Sequence, residues 1–362
     1  MLLILMLEIR IETRLFTDLR VEFINSIREH GPTRPPRRRP PVVPGKPLPA
    51  SGFVPSRALV GALIAREVVS MLIALAVLLA LVPPGLANDR EVRVAIGPSD
   101  TISVVVDGTH GRPVVVIPGV LGGAYSFRHV TDSLAAKGHV VYTVGVFEVQ
   151  KTTTEKTDFS LDTQAKRVGA VLDSLELRDA ILITHSLGGS VGYRLALQRP
   201  DLVSGIVAVE AGPSETAATP SMNKAVKLST LIRLLGARRL IEKNVRDGLR
   251  KGAYDQEWIN ETLIDEYVDN MASDFGRTVK AMRAMLASKE PAPLAPQLRN
   301  IQVPVRLLTS GKVDADGTIP PDQVETLRSI PDFEVQLVER TGPWIQEERA
   351  DAVVAAVLAV SR

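Results

Sequence analysis

Nine residues, Ile181-Leu-Ile-Thr-His-Ser-Leu-Gly-Gly189, constrain the fold of this chain more than any other stretch. An apolar β-forming run reaches Ser186, two glycines follow within three residues, and a helical pattern starts at Ser190. A strand that turns this sharply into a helix forces the central residue into a strained conformation. Its side chain is lifted clear of the sheet, and the first N–H groups of the helix face whatever it attacks. Gly188 and Gly189 remove the side chains that would hold strand and helix apart. On the strand side Thr184 stands where the G-x-S-x-G pattern has its first glycine.

The flanking chain supplies a matching frame. Residues 91–96 and 101–106 alternate across a turn and predict a hairpin. Pro113-Val-Val-Val-Ile-Pro-Gly-Val-Leu-Gly-Gly123 begins as a continuous apolar run, as suits a buried parallel strand, and ends in a glycine-rich loop. Helices over 126–137, 161–175 and 190–198 alternate with strands over 140–144, 180–184 and 206–209. Such alternation implies an α/β protein, a mostly parallel sheet covered by helices on both faces. Ligands then bind at the carboxyl ends of the strands, where Ser186 falls. Between 212 and 297 the alternation gives way to four helical patterns, around 223–235, 238–251, 258–272 and 275–287. Strands over 303–309 and 333–338 and a helix over 350–360 close the chain.

From residue 91 onward this order of segments, with the serine turn at its centre, resembles the α/β-hydrolase superfamily of lidded serine-hydrolase type. The resemblance implies a core made of residues 88–212 and 298–362, with 213–297 as a helical lid over the site. It implies Ser186 as nucleophile, with the backbone N–H groups of Leu187 and Val120 as oxyanion donors. Gly119 allows the loop to come close, while Thr184, His185 and Gly188 shape the turn. The segment Val305 to Gly311 followed by Lys312-Val313-Asp314 resembles the family's acid motif, so Asp314 is the leading candidate to orient a base, ahead of Asp316 and Glu210.

The base itself departs from the family pattern. Where relatives carry Gly-His followed by an aromatic residue and glutamates, this chain reads Gly342-Pro343-Trp344-Ile345-Gln346-Glu347-Glu348. Its five histidines are His30, His110, His129, His139 and His185, and none follows the serine turn. Proline cannot accept the serine proton. Losing the histidine of a serine triad costs about 10⁶ in turnover, leaving roughly 10³–10⁴ over water. His185 is expected to pack rather than react, and His129 is the only other histidine that could approach from the side. Two functions follow as expectations: a hydrolase of small esters or related substrates with a weakened triad, or a pseudoenzyme that binds a small apolar ligand or a partner.

Composition narrows the alternatives. The absence of cysteine removes thiolate nucleophiles, disulfides and cysteine metal sites. No P-loop or G-x-G-x-x-G is present, so neither a cofactor nor a metal is expected. The net charge of +2 hides a basic cluster, Arg34 with Arg37, Arg38 and Arg39, in the N-terminal tail, and no nucleic-acid binding is expected of the remainder. Residues 1–67 read as a Pro/Arg-rich tail that cannot build a core. Residues 68–87 read as a signal peptide or membrane anchor. The run Val68 to Val82 is uncharged, and Gly85 and Ala87 stand at the spacing a signal peptidase reads. The run is short of the roughly 20 residues that span a bilayer, which favours cleavage near Ala87 and a secreted or periplasmic protein over membrane association through 68–82. The long upstream segment points to a translation start near Val54.

Overall fold

The computed structural model describes residues 90–120, 122–152, 158–310, 312 and 317–361; the expected tail and signal segment lie outside them, as do Asp314 and Asp316. Eight strands form one sheet: β1 (Arg90–Ala95), β2 (Thr101–Asp107), β3 (Arg112–Ile117), β4 (His139–Val144), β5 (Ala180–His185), β6 (Val203–Val209), β7 (Val305–Thr309) and β8 (Phe333–Leu337), in the order β1-β2-β4-β3-β5-β6-β7-β8. The hairpin β1–β2 and the β2–β4 pair are antiparallel, and every later pair is parallel. From β3 the chain crosses to β4 on one side and then to β5 on the other. The loops after β3 and β5 therefore diverge at the switch point, where a crevice opens at the strand ends.

Each face of the sheet is covered. Alternate residues of the central strands, Val115 and Ile117 of β3 and Leu182 of β5 among them, pack against α2 (Leu161–Ser174) and α3 (Leu187–Gln198). Val114, Val116, Ile181 and Ile183 point the other way, onto α1 (Arg128–Ala135) and α11 (Ala350–Val360). The central strands are apolar on both faces because both are buried. β8 is an edge strand, with Val335 and Leu337 exposed.

Between β6 and β7 lie α4 (Pro220–Lys227), α5 (Ser229–Leu234), α6 (Ala237–Gly252), α7 (Glu261–Ala272) and α8 (Phe275–Ala287). The expected helix over 223–235 is two helices, broken at Leu228, and Ser229 is the one buried residue of the second. Val245 and Leu249 of α6 pack with Leu263, Ile264, Tyr267 and Val268 of α7 in a cluster separate from the two sheet cores. Thr219, Asn260 and Asp274 cap α4, α7 and α8 by accepting from backbone N–H groups, which fixes where each begins. The short helices α9 (Pro321–Leu327) and α10 (Ile345–Glu348) complete the chain. Among the described residues no helix is long and apolar enough to cross a membrane.

Candidate active site at the β5–α3 turn

Ser186 joins β5 to α3 with φ 51° and ψ −124°. Holding a non-glycine residue there costs on the order of 1–3 kcal/mol, a strain that the packing around it must sustain. His185 before it and residues 187–190 after it are buried, whereas Ser186 is partly exposed and its hydroxyl does not cap the helix. The side chain thus stands at the carboxyl end of the sheet with its oxygen uncommitted to the backbone. At the first turn of α3 the Leu187 N–H has no intrahelical acceptor.

Close approach of strand and helix depends on the glycines. A Cβ on Gly188 would overlap the Ile117 carbonyl oxygen and come within 2.9 Å of that of Pro118; one on Gly189 would lie 2.6 Å from the Ala211 Cβ. Thr184 fits in place of the pattern's first glycine because Gly192, two turns into α3, faces it. A Cβ on Gly192 would stand 2.7 Å from the Thr184 methyl, so the small residue has moved from strand to helix. Gly188→Ala is expected to destabilise the fold by about 3 kcal/mol or more, since the obstacle is backbone and cannot rotate away. Urea unfolding midpoints check this.

The loop after β3 runs alongside the serine. A Cβ on Gly119 would lie 3.2 Å from the Ser186 Cβ and 3.4 Å from the His185 Nδ1, which places Val120 next in the chain beside the turn. Gly122 and Gly123 have φ of 82° and 50°. Tyr267 of α7 covers the first, and Glu148 with Asn270 of α7 crowds the second. Glu148 accepts the Ala124 N–H at 2.9 Å. Burial pushes the Glu148 carboxyl up, against the pull of Lys151 and that N–H. The helical insertion therefore rests directly on the glycine loop.

Among the described residues no histidine hydrogen-bonds Ser186. His185 is buried edge-on to Phe127, with ring centroids 6.3 Å apart, and its Nε2 has no partner among the described residues. Burial holds its imidazole down to about 4, against the Pro343 carbonyl, which favours the protonated form. It is neutral at pH 7 and a weak proton acceptor. His129 stands on the exposed side of α1.

Pro343 reaches the site from the other side. It is buried, its carbonyl acts on His185, and a Cβ on Gly317 would touch its ring at 3.3 Å. The segment after β8 thereby lies between the serine turn and the loop after β7. Glu210, at the end of β6 with φ 43°, is not free to orient a base. Its Oε1 accepts from the Ser310 N–H at 2.6 Å, the Ser310 hydroxyl at 2.7 Å and the Thr309 hydroxyl at 3.3 Å, and its Oε2 accepts from the Ile319 N–H at 2.9 Å. Ser310 and Ile319 bracket the loop that carries Asp314, so Glu210 clamps both ends of that loop.

Nothing in the local sequence marks Glu347 as a functional residue. Its buried carboxylate is held by Arg128 at 2.9 Å and receives the Tyr267 hydroxyl at 3.4 Å, joining α10, α1 and α7. Burial outweighs the Arg128 guanidinium and lifts this carboxyl to about 7. A carboxyl raised from 4.5 to about 7 binds its proton more tightly in the folded chain. Its contribution to stability is thus fully present below about pH 4.5 and is lost as pH rises through about 7, amounting to about 3 kcal/mol at 1.36 kcal/mol per unit. Burial raises Glu148 and Glu210 in the same direction. The thermal midpoint is expected to fall as pH rises from about 5 to about 8, and Glu347→Gln to flatten much of that slope. Calorimetry across the range checks both. Among the described residues no group of three or more His, Asp or Glu side chains is arranged to hold a metal ion.

Comparisons with known proteins agree with this architecture. An uncharacterized hydrolase, YugF, of Bacillus subtilis (strain 168) is 24% identical over 243 residues, 67% of this chain and 87% of its own. A 2-hydroxy-6-oxononadienedioate/2-hydroxy-6-oxononatrienedioate hydrolase of a Pseudomonas species is 26% identical over 255 residues, 68% of this chain and 87% of its own. The crystal structure of Cfl2 from Burkholderia cenocepacia superposes with a TM-score of 0.62 at 19% identity, covering 77% of this chain and 98% of that one. Residues 114–356 match the pattern of the Alpha/beta hydrolase family, and they run from β3 through the serine turn and the helical insertion into α11. The chain belongs to the alpha/beta hydrolase family.

Proposed function

We propose that the protein is an exported serine hydrolase of small esters or related acyl substrates, working with a weakened proton relay. Ser186 is the nucleophile, the N–H groups of Leu187 and Val120 receive the oxyanion, and Asp314 is the acid of the constellation. The helices over 220–287 are the lid. The observation that carries the reading is the backbone of Ser186: a serine held at φ 51°, partly exposed among buried neighbours and not used as a helix cap, has no structural task that repays the strain. Export rests on the Val68 to Val82 run and the small residues at Gly85 and Ala87.

The missing histidine divides the reaction unequally. An activated ester loses a stable leaving group, so Ser186 Oγ can attack its carbonyl carbon while the hydroxyl proton passes to solvent and the leaving group departs as its anion. Deacylation is harder, because water must be deprotonated as it attacks and no histidine follows the serine turn to take the proton. The acyl-enzyme therefore accumulates. Incubation of the full chain with p-nitrophenyl acetate is expected to leave one acetyl group on the peptide containing Ser186, with a burst of p-nitrophenol that decays to slow turnover. A folded protein that acquires no adduct at Ser186 overturns the reading.

Pro343 favours a second reading, a pseudoenzyme that binds a small apolar ligand. A proline against His185, itself neutral and weakly basic, leaves the serine without a hydrogen-bonded proton acceptor among the described residues. Absence of the adduct together with saturable binding of an ester analogue supports this alternative.

A further inference from the structure

The outer surface of the helical insertion carries a feature that ester hydrolysis does not use. Leu228, Leu231, Leu234 and Leu235 are 41%, 52%, 79% and 61% exposed, four leucines within eight residues. Leu228, Leu231 and Leu235 recur at the spacing of one helical face, and Leu234 adjoins it. Monomeric soluble proteins rarely leave contiguous apolar surface of this kind in water without a use for it.

Along the chain, charge about the leucines is one-sided. Between Glu215 and Glu242 the chain has five cations, Lys224, Lys227, Arg233, Arg238 and Arg239, and no carboxylate. Arg238 pairs with Asp265 and Asp269 of α7. Among the described residues the other four form no ion pair, and all four are exposed. The Arg233 guanidinium turns back to α8, where a Cβ on Gly276 would meet it at 3.3 Å, which leaves Lys224, Lys227 and Arg239 as exposed, unpaired cations flanking the leucines in the chain. Exposed leucines flanked by such cations match the layering of an anionic bilayer, with acyl chains inside and phosphates at the rim. Long cationic side chains can keep their charge at phosphate depth while the leucines enter. A second copy of the chain would bring the same cations face to face, and the Arg-rich N-terminal tail is also basic, so neither complements the rim.

We propose that α5 and its flanks, Leu228 to Leu235 with Lys224, Lys227 and Arg239, dock the protein on anionic phospholipid bilayers. The six residues of α5 are far too few to span, so the helix lies in the interface with its leucines immersed. This docking is independent of whether Ser186 reacts, and its test involves no turnover.

The chain has no cysteine, so one introduced thiol reports one position. Full-length protein carrying Leu234→Cys, labelled with an environment-sensitive fluorophore, is mixed with vesicles of phosphatidylcholine alone or with phosphatidylglycerol. Ser174→Cys, at the end of α2, serves as the control. The expected result is a blue shift and brightening of the Leu234 probe on the anionic vesicles, quenching by a nitroxide-labelled lipid, weakening with salt and no change at Ser174. Replacing Lys224, Lys227 and Arg239 by Gln is expected to weaken the response about 100-fold. A probe that stays in water while the chain cosediments with vesicles overturns the proposal, since binding then runs through another segment. A blue shift that follows protein concentration without lipid also overturns it, because the leucines then cover a second copy.

Discussion

Pro343→His is expected to raise steady-state ester hydrolysis by about 10²–10⁴, the range a positioned general base supplies. The proline is buried beside Gly317, its carbonyl acts on His185, and the segment carrying it lies between the serine turn and the loop after β7. The resemblance to the family places the histidine base at this position, so the introduced side chain is expected to take the Ser186 proton and later to activate water for deacylation. The gain should appear mainly in kcat, with the burst on p-nitrophenyl acetate giving way to continuous turnover, because deacylation is the step the base most accelerates. An unchanged burst in a folded Pro343→His protein shows that the site lacks more than its histidine.

Glu210→Ala is expected to cost about 3–5 kcal/mol. The carboxylate satisfies the N–H groups of Ser310 and Ile319 and the hydroxyls of Ser310 and Thr309, all from one point at the end of β6. Its removal leaves buried donors without acceptors, each costing about 1–3 kcal/mol, and releases both ends of the loop that carries Asp314. Glu210→Gln keeps the shape and two acceptor lone pairs and should cost less. Chemical denaturation of the three proteins gives the ranking directly. If the alanine protein matches the wild type, Glu210 does not hold the loop.

The comparison of sequence with structure divides along the range of the interactions involved. The serine turn was legible because everything that makes it is local: a β-forming run, a serine and two glycines within nine residues. The parallel strands were legible for a related reason, since burial on both faces makes them continuously apolar. Thr184 departs from the glycine pattern locally, and only Gly192, eight residues on and facing it, makes room for it. The break at Leu228 was hidden because apolar residues continue across it, although most of them face outward. The four-residue α10 is too short to establish a period, and with it went the Glu347–Arg128–Tyr267 contact. In the sequence Glu210 is the third candidate acid. Its engagement with Ser310 and Ile319, about a hundred residues away, is set by the adjacency of β6 and β7 and has no local signature.

The reactivity of Ser186 is the claim on which the proposed function turns, and covalent labelling tests it most directly. Full-length protein and its Ser186→Ala variant, both shown to be folded by circular dichroism, are treated with a fluorophosphonate and mapped by mass spectrometry. The expected result is a single phosphonate on the peptide containing Ser186 in the wild type and none in the variant. A folded wild type that takes up no label, or takes it up equally in both proteins, contradicts the assignment of Ser186 as a nucleophile.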